Sequence, residues 1–264
     1  MLVTLLTDFG TADYFVGALK GAILSVNRRA QIVDITHEIP AHDVEAGAFT
    51  LLAAYVSFPP QTIHVAVVDP GVGSARRPLL IAAHGHFFVG PDNGLFSYVC
   101  DSATDARVYQ LTNEKFFRQP LSQTFHGRDI FAPVAGALTQ SVPPSELGEL
   151  IVGDVRRLAP LGPSREAGGA WSARIIHIDR FGNLITNISR RELTAERLAG
   201  GVRLEIGGHE ISSFREFYAG APAGELFAIW GSAGLLEIAA NCASAAQLLG
   251  ASRGQPVRVS GGKL

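Results

Sequence analysis

The loop that carries Asp69 and Arg76 has the residue types and the spacing best suited to chemistry in this chain. An apolar run from Ile63 to Val68 predicts a buried strand, and the Pro-Gly-Val-Gly sequence after Asp69 ends that strand. Asp69 therefore follows the carboxyl end of a strand, where open α/β sheets bind ligands. Taken alone, the loop also fits a structural turn in which Asp69 caps the chain and Arg76 is a surface base.

Two further segments place polar groups next to predicted elements. Asp8 follows a second apolar run, Leu2 to Leu6, and precedes a segment with helical periodicity. His126, Arg128 and Asp129 share one short loop before a helix of small residues. Taken alone, this loop favours a structural interpretation, in which Asp129 caps the helix, Arg128 pairs with it, and His126 lies on the surface.

The last third of the chain carries its own polar groups at predicted turns. Asp179 and Asn183 flank a Phe-Gly turn between two apolar strands, a pattern typical of a hairpin with Asx hydrogen bonding. Ser232 and Ala233 lie in a Gly-Ser-Ala-Gly turn whose backbone N–H groups could bind an anion. Such turns are usually structural, so neither segment alone establishes a site.

The elements that must position these groups change in character near residue 160. Residues 1–157 alternate strand-like and helical runs, which predicts an α/β domain with a mostly parallel sheet flanked by helices. Residues 158–170 are rich in Pro and Gly and predict a linker. Short strands separated by Gly or Asn turns follow, and they predict a smaller, all-β, barrel-like domain over residues 171–264.

Composition excludes several classes of protein. The 264 residues are 47% hydrophobic and 17% charged with a formal net charge of -2, which fits a globular protein and argues against nucleic acid or membrane partners. The chain begins on a strand without the regions of a secretory signal, so we expect a cytoplasmic protein. Cys100 and Cys242 lack metal-ligand spacing, and we expect both to be buried and unbridged.

The order and spacing of these motifs resemble those of one family, the adenosine-forming S-adenosyl-L-methionine (SAM) hydrolases. They are also described as SAM hydroxide adenosyltransferases and are related to the SAM-dependent fluorinase and chlorinase. The resemblance covers nearly the whole chain. It rests on Leu-Thr-Asp-Phe-Gly at 6–10, Asp-Ile-Thr-His at 34–37, the Asp69 loop, Gly-Pro-Asp-Asn-Gly at 90–94, His-Gly-Arg-Asp at 126–129 and the segment 179–183.

The resemblance implies that water attacks the ribose 5′ carbon of SAM and that methionine leaves, with SAM as substrate and with no cofactor or metal. The family's catalytic triad is implied at Asp69, Arg76 and His126, with Asp69 as the base that orients the water. The halogenases have a tyrosine at the position of Asp69, so the acid–base set here favours water over halide. The sequence leaves open which member of the triad accepts the proton.

The resemblance also implies substrate contacts and an assembly. Asp8 would bind the ribose hydroxyls, and Asp179 would bind the methionine ammonium group. Asn183 would read the adenine edge, while Tyr218 would pack on the adenine ring, with Phe217 as the alternative because the spacing is shifted by one residue. Ser232 and the N–H of Ala233 would receive the carboxylate. The family is a homotrimer whose active site lies at the subunit interface.

Two other functions are compatible with the same residues. The first is a metal-dependent hydrolase of another nucleoside derivative, which would use a set drawn from Asp8, Asp69, Asp92, His84, His86 and His126. We expect His84 and His86 instead to be solvated residues of a hairpin turn. The second is a SAM-binding sensor with little turnover.

Overall fold

The computed structural model describes residues 1–165 and 171–261, and the chain divides into two compact units, Met1–Ala159 and Pro160–Leu264. Part of the predicted linker, residues 166–170, lies outside the described residues. Each unit has its own sheet and its own apolar core. The protein is thus a two-domain α/β protein.

Seven strands form the sheet of the first unit. They are β1 (Leu2–Thr7), β2 (Gln31–Thr36), β3 (Ile63–Val67), β4 (Pro78–Ala83), β5 (His86–Pro91), β6 (Arg107–Leu111) and β7 (Gly148–Leu150). Their order across the sheet is β2-β1-β3-β5-β4-β6-β7. The interior strand β3 is buried along its whole length, as its apolar sequence predicts.

This sheet is mixed, so the prediction of a mostly parallel sheet is wrong for half of it. The pairs β2–β1, β1–β3 and β3–β5 are parallel, whereas β5–β4, β4–β6 and β6–β7 are antiparallel. The physical reason is the two-residue connection between β4 and β5 at His84-Gly85. A parallel pair needs a crossover of a dozen or more residues, so a two-residue turn forces a hairpin.

Helices cover both faces of the sheet and give it two apolar cores. The helices are α1 (Phe15–Val26), α2 (Val44–Tyr55), α3 (Ser97–Asp101), α4 (Ala132–Thr139) and α5 (Pro144–Leu147). The carboxylate of Asp43 caps α2 by accepting from the backbone N–H of Ala46 at 3.0 Å. Helix α1 packs on α4 through small residues: Gly136 on α4 lies against Val26 on α1.

In the described part of the second unit, nine strands form one sheet that curves into a half-barrel. Its strands are β8 (Ser164–Arg165), β9 (Trp171–Ile178), β10 (Leu184–Ser189), β11 (Arg203–Ile206), β12 (His209–Ile211), β13 (Phe214–Arg215), β14 (Leu226–Trp230), β15 (Leu235–Ala240) and β16 (Pro256–Ser260). They run in the order β12-β11-β16-β9-β10-β15-β14-β13, with β8 on β9, and among the described strand pairs of this unit only β13–β14 is parallel. Two short helices, α6 (Ala195–Ala199) and α7 (Ala245–Leu249), complete the unit.

Histidines lie inside the first unit, which corrects the prediction of solvated turn residues. His86 is buried, and its Nδ1 lies 3.2 Å from Nε2 of the fully buried His64. The Nδ1 of His64 lies 2.7 Å from the hydroxyl of Thr4. His84 is half-buried, with its Nε2 3.1 Å from the carbonyl oxygen of Val99. Partners on neighbouring strands and on helix α3, which the local sequence does not reveal, make this burial tolerable.

The buried histidine predicts a dependence of stability on pH. Burial, and secondarily the proximity of His86, lowers the pKa of His64 to about 3 from 6.5. Because the unfolded chain takes up the proton first, the stabilisation is complete above pH 6.5 and is lost as the pH falls toward 3. We expect the free energy of unfolding to drop by about 2 kcal/mol between pH 7 and pH 5 through this group.

Denaturant unfolding at the two pH values measures this loss. His64→Phe should reduce the pH dependence, whereas His209→Gln, at an exposed histidine on β12, should leave it unchanged. If the free energy of unfolding depended equally on pH in the wild type and in His64→Phe, the assignment of this loss to His64 would be contradicted.

The cysteines are both free, and one of them departs from expectation. Cys100 is buried as predicted, but Cys242 is exposed, so the prediction of burial is wrong for it. Cys242 has a φ of 54° in the turn after β15, and this turn places it outside the core. Within the described ranges, none of the helices combines the length and the apolar character that a membrane crossing requires.

Candidate active site

Two of the predicted acids lie at one edge of the first sheet. Asp8 comes directly after β1, and Asp69 comes after β3 with one residue between them. These parallel strands are neighbours in the sheet, with Thr7 paired to Val67. The carboxyl ends of parallel neighbours meet at the same edge, so the two carboxylates approach one crevice. One oxygen of Asp8 accepts from the backbone N–H of His42 at 2.9 Å.

Asp69 and Arg76 form a buried, two-pronged ion pair. The Nε of Arg76 lies 3.0 Å from each carboxylate oxygen of Asp69, and its Nη2 donates to Oδ2. Only 5% of the Asp69 side chain and 8% of the Arg76 side chain are exposed. The guanidinium also lies over the ring of Phe131, 5.4 Å from its centre. Arg76 is therefore not a surface base, and the turn-only interpretation of this loop is wrong.

Arg76 also links Asp69 to His126. Its Nη2 donates to Nδ1 of His126 at 2.7 Å, because a guanidinium has no acceptor. Burial, and secondarily the charge of Arg76, lowers the pKa of His126. The neutral ring must then carry its hydrogen on Nε2. That nitrogen is buried and has no hydrogen-bond partner among the described residues, so its N–H remains available as a donor.

A π-helical turn, Gly127–Phe131, follows His126 and leads into α4. Inside it, Asp129 is fully buried and binds Arg128 at 2.6 and 2.8 Å, which confirms the pairing expected from sequence. Asp129 also accepts from the N–H of Ser122 at 2.9 Å and so holds the segment before His126. His126 itself is buried, and the surface interpretation of it is wrong. Insertions of this π-helical kind are frequent at functional sites.

A cavity of about 260 Å³ brings these groups together. Asp8, Asp69 and His126 all line it, so three predicted site residues share one cavity. Aromatic rings close one wall: Phe9, Phe15 and Phe125 lie with centres 5.4 to 5.9 Å apart. The cavity therefore combines two carboxylates and an imidazole with an apolar wall.

Gly73 fixes the distance between the Asp69 loop and the segment leading to His126. It has a φ of +77°, and a Cβ added there would overlap the backbone carbonyl oxygen of Gln123. The two segments are thus in direct backbone contact at this point.

Gly73→Ala is expected to separate the Asp69 loop from the segment before His126. Since small displacements of reacting groups are costly, we expect a loss of kcat of about 10-fold or more. Gly85→Ala is the matched control, because Gly85 also has a positive φ but has open space around its Cα. Equal activity of the two variants would contradict a positioning role for this contact.

A larger pocket, about 940 Å³, lies in the second unit and is lined by Asp179 and Asn183. The two residues form the expected Asx hairpin: Asp179 accepts from the backbone N–H groups of Phe181 and Asn183 and from Nδ2 of Asn183, at 2.8 to 2.9 Å. These bonds use three of the roughly four acceptor positions of a carboxylate. Asp179 keeps one free position, and Asn183 keeps its side-chain oxygen as an acceptor.

Tyr218, Phe217 and Ser232 line the same pocket, whereas Ala233 is not part of its lining. Sequence reasoning missed two acidic groups of this lining, Glu216 and Glu237. The carboxylate of Glu237 accepts from the hydroxyl of Tyr218 at 3.0 Å. The signal was present, since Glu237 is the single charged residue in the apolar run Leu-Leu-Glu-Ile-Ala-Ala. A lone charge in a buried strand usually marks a paired or functional group.

The metal-dependent alternative draws on six groups, of which Asp8, Asp69 and His126 share the cavity and His86 does not. His86 begins β5, which runs parallel to β3, so it lies at the opposite edge of the sheet from Asp69. The carboxylate of Asp92 accepts a hydrogen bond from Nε of Arg77 at 2.7 Å. Across residues 1–165 and 171–261, no three His, Cys, Asp or Glu side chains are placed to hold a metal ion.

Comparison with known proteins agrees with this arrangement. A relative from Salinispora arenicola, named (R)-S-adenosyl-L-methionine hydrolase, is 37% identical over 98% of this chain and 98% of its own. One of the same name from Methanocaldococcus jannaschii is 42% identical over 73% of this chain and 69% of its own. A solved structure of an uncharacterized conserved protein from Thermotoga maritima has a TM-score of 0.88 at 32% identity, covering 98% of this chain and 99% of that one.

The family models match both units in order. The model of the SAM hydroxide adenosyltransferase N-terminal domain matches residues 3–148, and that of the C-terminal domain matches residues 173–258. Together the two ranges contain all the candidate site residues described above. The chain belongs to the SAM hydroxide adenosyltransferase family.

Proposed function

We propose that the protein hydrolyses SAM to adenosine and L-methionine by attack of water on the ribose 5′ carbon. The observation that carries the proposal is the linked arrangement of Asp69, Arg76 and His126 beside a cavity that Asp8 also lines. The relatives named (R)-S-adenosyl-L-methionine hydrolase support it.

The chemistry requires an aligned nucleophile more than an acid. The sulfonium leaves as a neutral thioether: a bond forms between the water oxygen and C5′, and the C5′–S pair moves to sulfur. One water proton is left to be removed. We assign its removal to Asp69, because Nδ1 of His126 is occupied by Arg76 and Nε2 already carries hydrogen. His126 then donates from Nε2 to the water oxygen and orients its remaining lone pair.

The remaining roles follow the same proposal. Residues 1–157 form the catalytic domain, in which Asp8 binds the ribose hydroxyls. In residues 171–264, Asp179 binds the ammonium group, Asn183 the adenine edge, Tyr218 the adenine ring, and Ser232 with the N–H of Ala233 the carboxylate. Since the leaving group is already activated, the reaction needs no cofactor or metal ion. We place it in the cytoplasm, where SAM is available as a substrate.

The decisive experiment uses chelator-treated protein, SAM and oxygen-18 water, with mass spectrometry of the products. Adenosine labelled at the 5′ oxygen, together with methionine, is the expected result. Unlabelled adenosine would contradict attack at that carbon. Intact SAM with measurable binding would favour a sensor. Activity that is lost on chelation and restored by a divalent ion would favour the metal-dependent hydrolase.

We also propose a homotrimer in which each active site is completed by a neighbouring subunit. Mixing tests this: Asp69→Asn and Asp179→Asn chains, each inactive alone, are unfolded together and refolded. If each site takes Asp69 from one chain and Asp179 from another, about a third of the sites in mixed trimers, or about a quarter of all sites, recover both residues. A mixture without activity, or a monomer by light scattering, would contradict the proposal.

A further inference from the structure

We propose that Glu237 is a positioning residue of the pocket in the second unit, where it fixes the ring of Tyr218 and supports the turn that carries Ser232. The inference rests on the proposed function in one respect, since Tyr218 is assigned there to the adenine ring. It adds to that function a residue that neither the motifs nor the family resemblance had singled out.

The buried, apolar environment of Glu237 is energetically unfavourable for a carboxylate. It lies in the middle of β15, between Leu236 and Ile238, which belong to the apolar core of the second unit. Only 7% of the residue is exposed. Burial raises the pKa of Glu237, and the charge of Asp179 raises it further. A buried carboxylate in an apolar strand destabilises the fold unless its partners compensate for the lost hydration.

The first partner of Glu237 is Tyr218. The hydroxyl of Tyr218 donates to Oε2 of Glu237 at 3.0 Å. Burial of the phenol, and secondarily the nearby Glu237 carboxylate, raises the pKa of Tyr218 to about 12. Tyr218 begins a three-residue 3₁₀ turn, Tyr218–Gly220. The tyrosine residue is 43% exposed. Its ring meets Phe227 edge-on at 6.1 Å. The hydrogen bond to Glu237 therefore fixes a ring that its own short turn holds only weakly.

The second contact of Glu237 is with the turn after β14. A Cβ added at Gly231 would overlap Oε1 of Glu237, so the carboxylate packs directly on the backbone at this position. Gly231 also donates to the carbonyl oxygen of Leu235 at 2.9 Å, which closes the turn containing Ser232. Glu237 thus lies beneath two segments that line the pocket.

These contacts favour positioning over direct recognition of a cation. One oxygen of Glu237 accepts from Tyr218, and the other is covered by the backbone of Gly231. Asp179, in contrast, keeps a free acceptor position in the same pocket. The ring of Tyr218, not the carboxylate below it, presents the larger surface to a ligand.

Three variants of the full chain test the inference, with adenosine binding by calorimetry and SAM hydrolysis as readouts. Glu237→Ala and Tyr218→Phe should each raise the Kd for adenosine and the KM for SAM about 10-fold, with kcat within about threefold. Glu237→Gln should recover most of the affinity lost in Glu237→Ala, because its amide oxygen still accepts from the tyrosine. The double variant should be no worse than either single one.

Specific outcomes would overturn the inference. If Glu237→Gln raised the Kd for adenosine and the KM for SAM as much as Glu237→Ala, binding would depend on the charge of Glu237 and not on its hydrogen bond to Tyr218. Additive losses in the double variant would show that the two residues act separately, and a loss of kcat at constant KM would place Glu237 elsewhere in the mechanism. Thermal unfolding identifies a variant that fails to fold. Adenosine binding reports on the inference even if the wild-type protein releases no labelled adenosine, so the two failures are distinguishable.

Discussion

Asp69→Asn is expected to lower kcat for SAM hydrolysis by about 10³-fold while leaving KM within a few-fold of wild type. The substitution preserves size but removes the charge and the basic oxygen that we assign to the water proton. It also turns one of the two acceptors facing Arg76 into a donor, so the ion pair is lost. Single-turnover measurements of adenosine formation separate this chemical step from product release.

Asp8→Asn provides the matched comparison, because Asp8 lines the same cavity but is assigned to the ribose hydroxyls. We expect its main effect on KM, about 10-fold or more, since it removes charge-assisted hydrogen bonds present in the bound ground state. Calorimetric binding of SAM to Asp69→Asn excludes simple misfolding. A variant at Asp69 with more than a tenth of the wild-type kcat would eliminate Asp69 as the base.

Arg76→Gln is expected to have the second largest effect, because Arg76 contacts both other members of the proposed triad. It leaves the Asp69 carboxylate buried without a cation and removes the donor that fixes Nδ1 of His126. Breaking a buried ion pair from one side costs about 3 kcal/mol of stability. We expect kcat to fall about 10²-fold as well, because the tautomer of His126 is no longer set.

The control for stability is Arg203→Gln, which breaks an exposed ion pair with Glu210 on neighbouring strands of the second unit. Exposed pairs contribute less than about 1 kcal/mol, so denaturant unfolding should show little change. Arg76→Lys retains charge but lacks the planar fork that reaches Asp69 and His126 together, and it should recover only part of the activity. Wild-type stability and turnover in Arg76→Gln would refute the central role of the guanidinium.

Local pattern was sufficient for the elements and for many of the candidate site positions. Apolar runs predicted strands β1 and β3, because a strand buried on both faces requires a continuous apolar sequence. The residue that follows such a strand lies at the ligand-binding edge, which is why Asp8 and Asp69 could be selected. The pairing of Asp179 with Asn183 was equally local, since Asx turns form between residues only a few positions apart.

Contacts between distant segments were decided only by the tertiary structure. Arg76 and His126 are 50 residues apart, and only the packing of their loops shows that Arg76 occupies Nδ1 and leaves hydrogen on Nε2. The burial of His86 and the bond from Tyr218 to Glu237 arise in the same way, from partners on other elements. The mixed sheet also escaped the sequence pattern, because apolar periodicity identifies a strand but carries no information about its direction.

The amino-acid sequence by itself thus determined which residues stand at strand ends and turns, since those positions depend on short-range periodicity and turn chemistry. Tertiary structure alone decided which of them meet, which nitrogen of His126 is free, and why Glu237 is buried. Hydrogen bonding and burial depend on neighbours brought together by folding, and a protonation state depends on both.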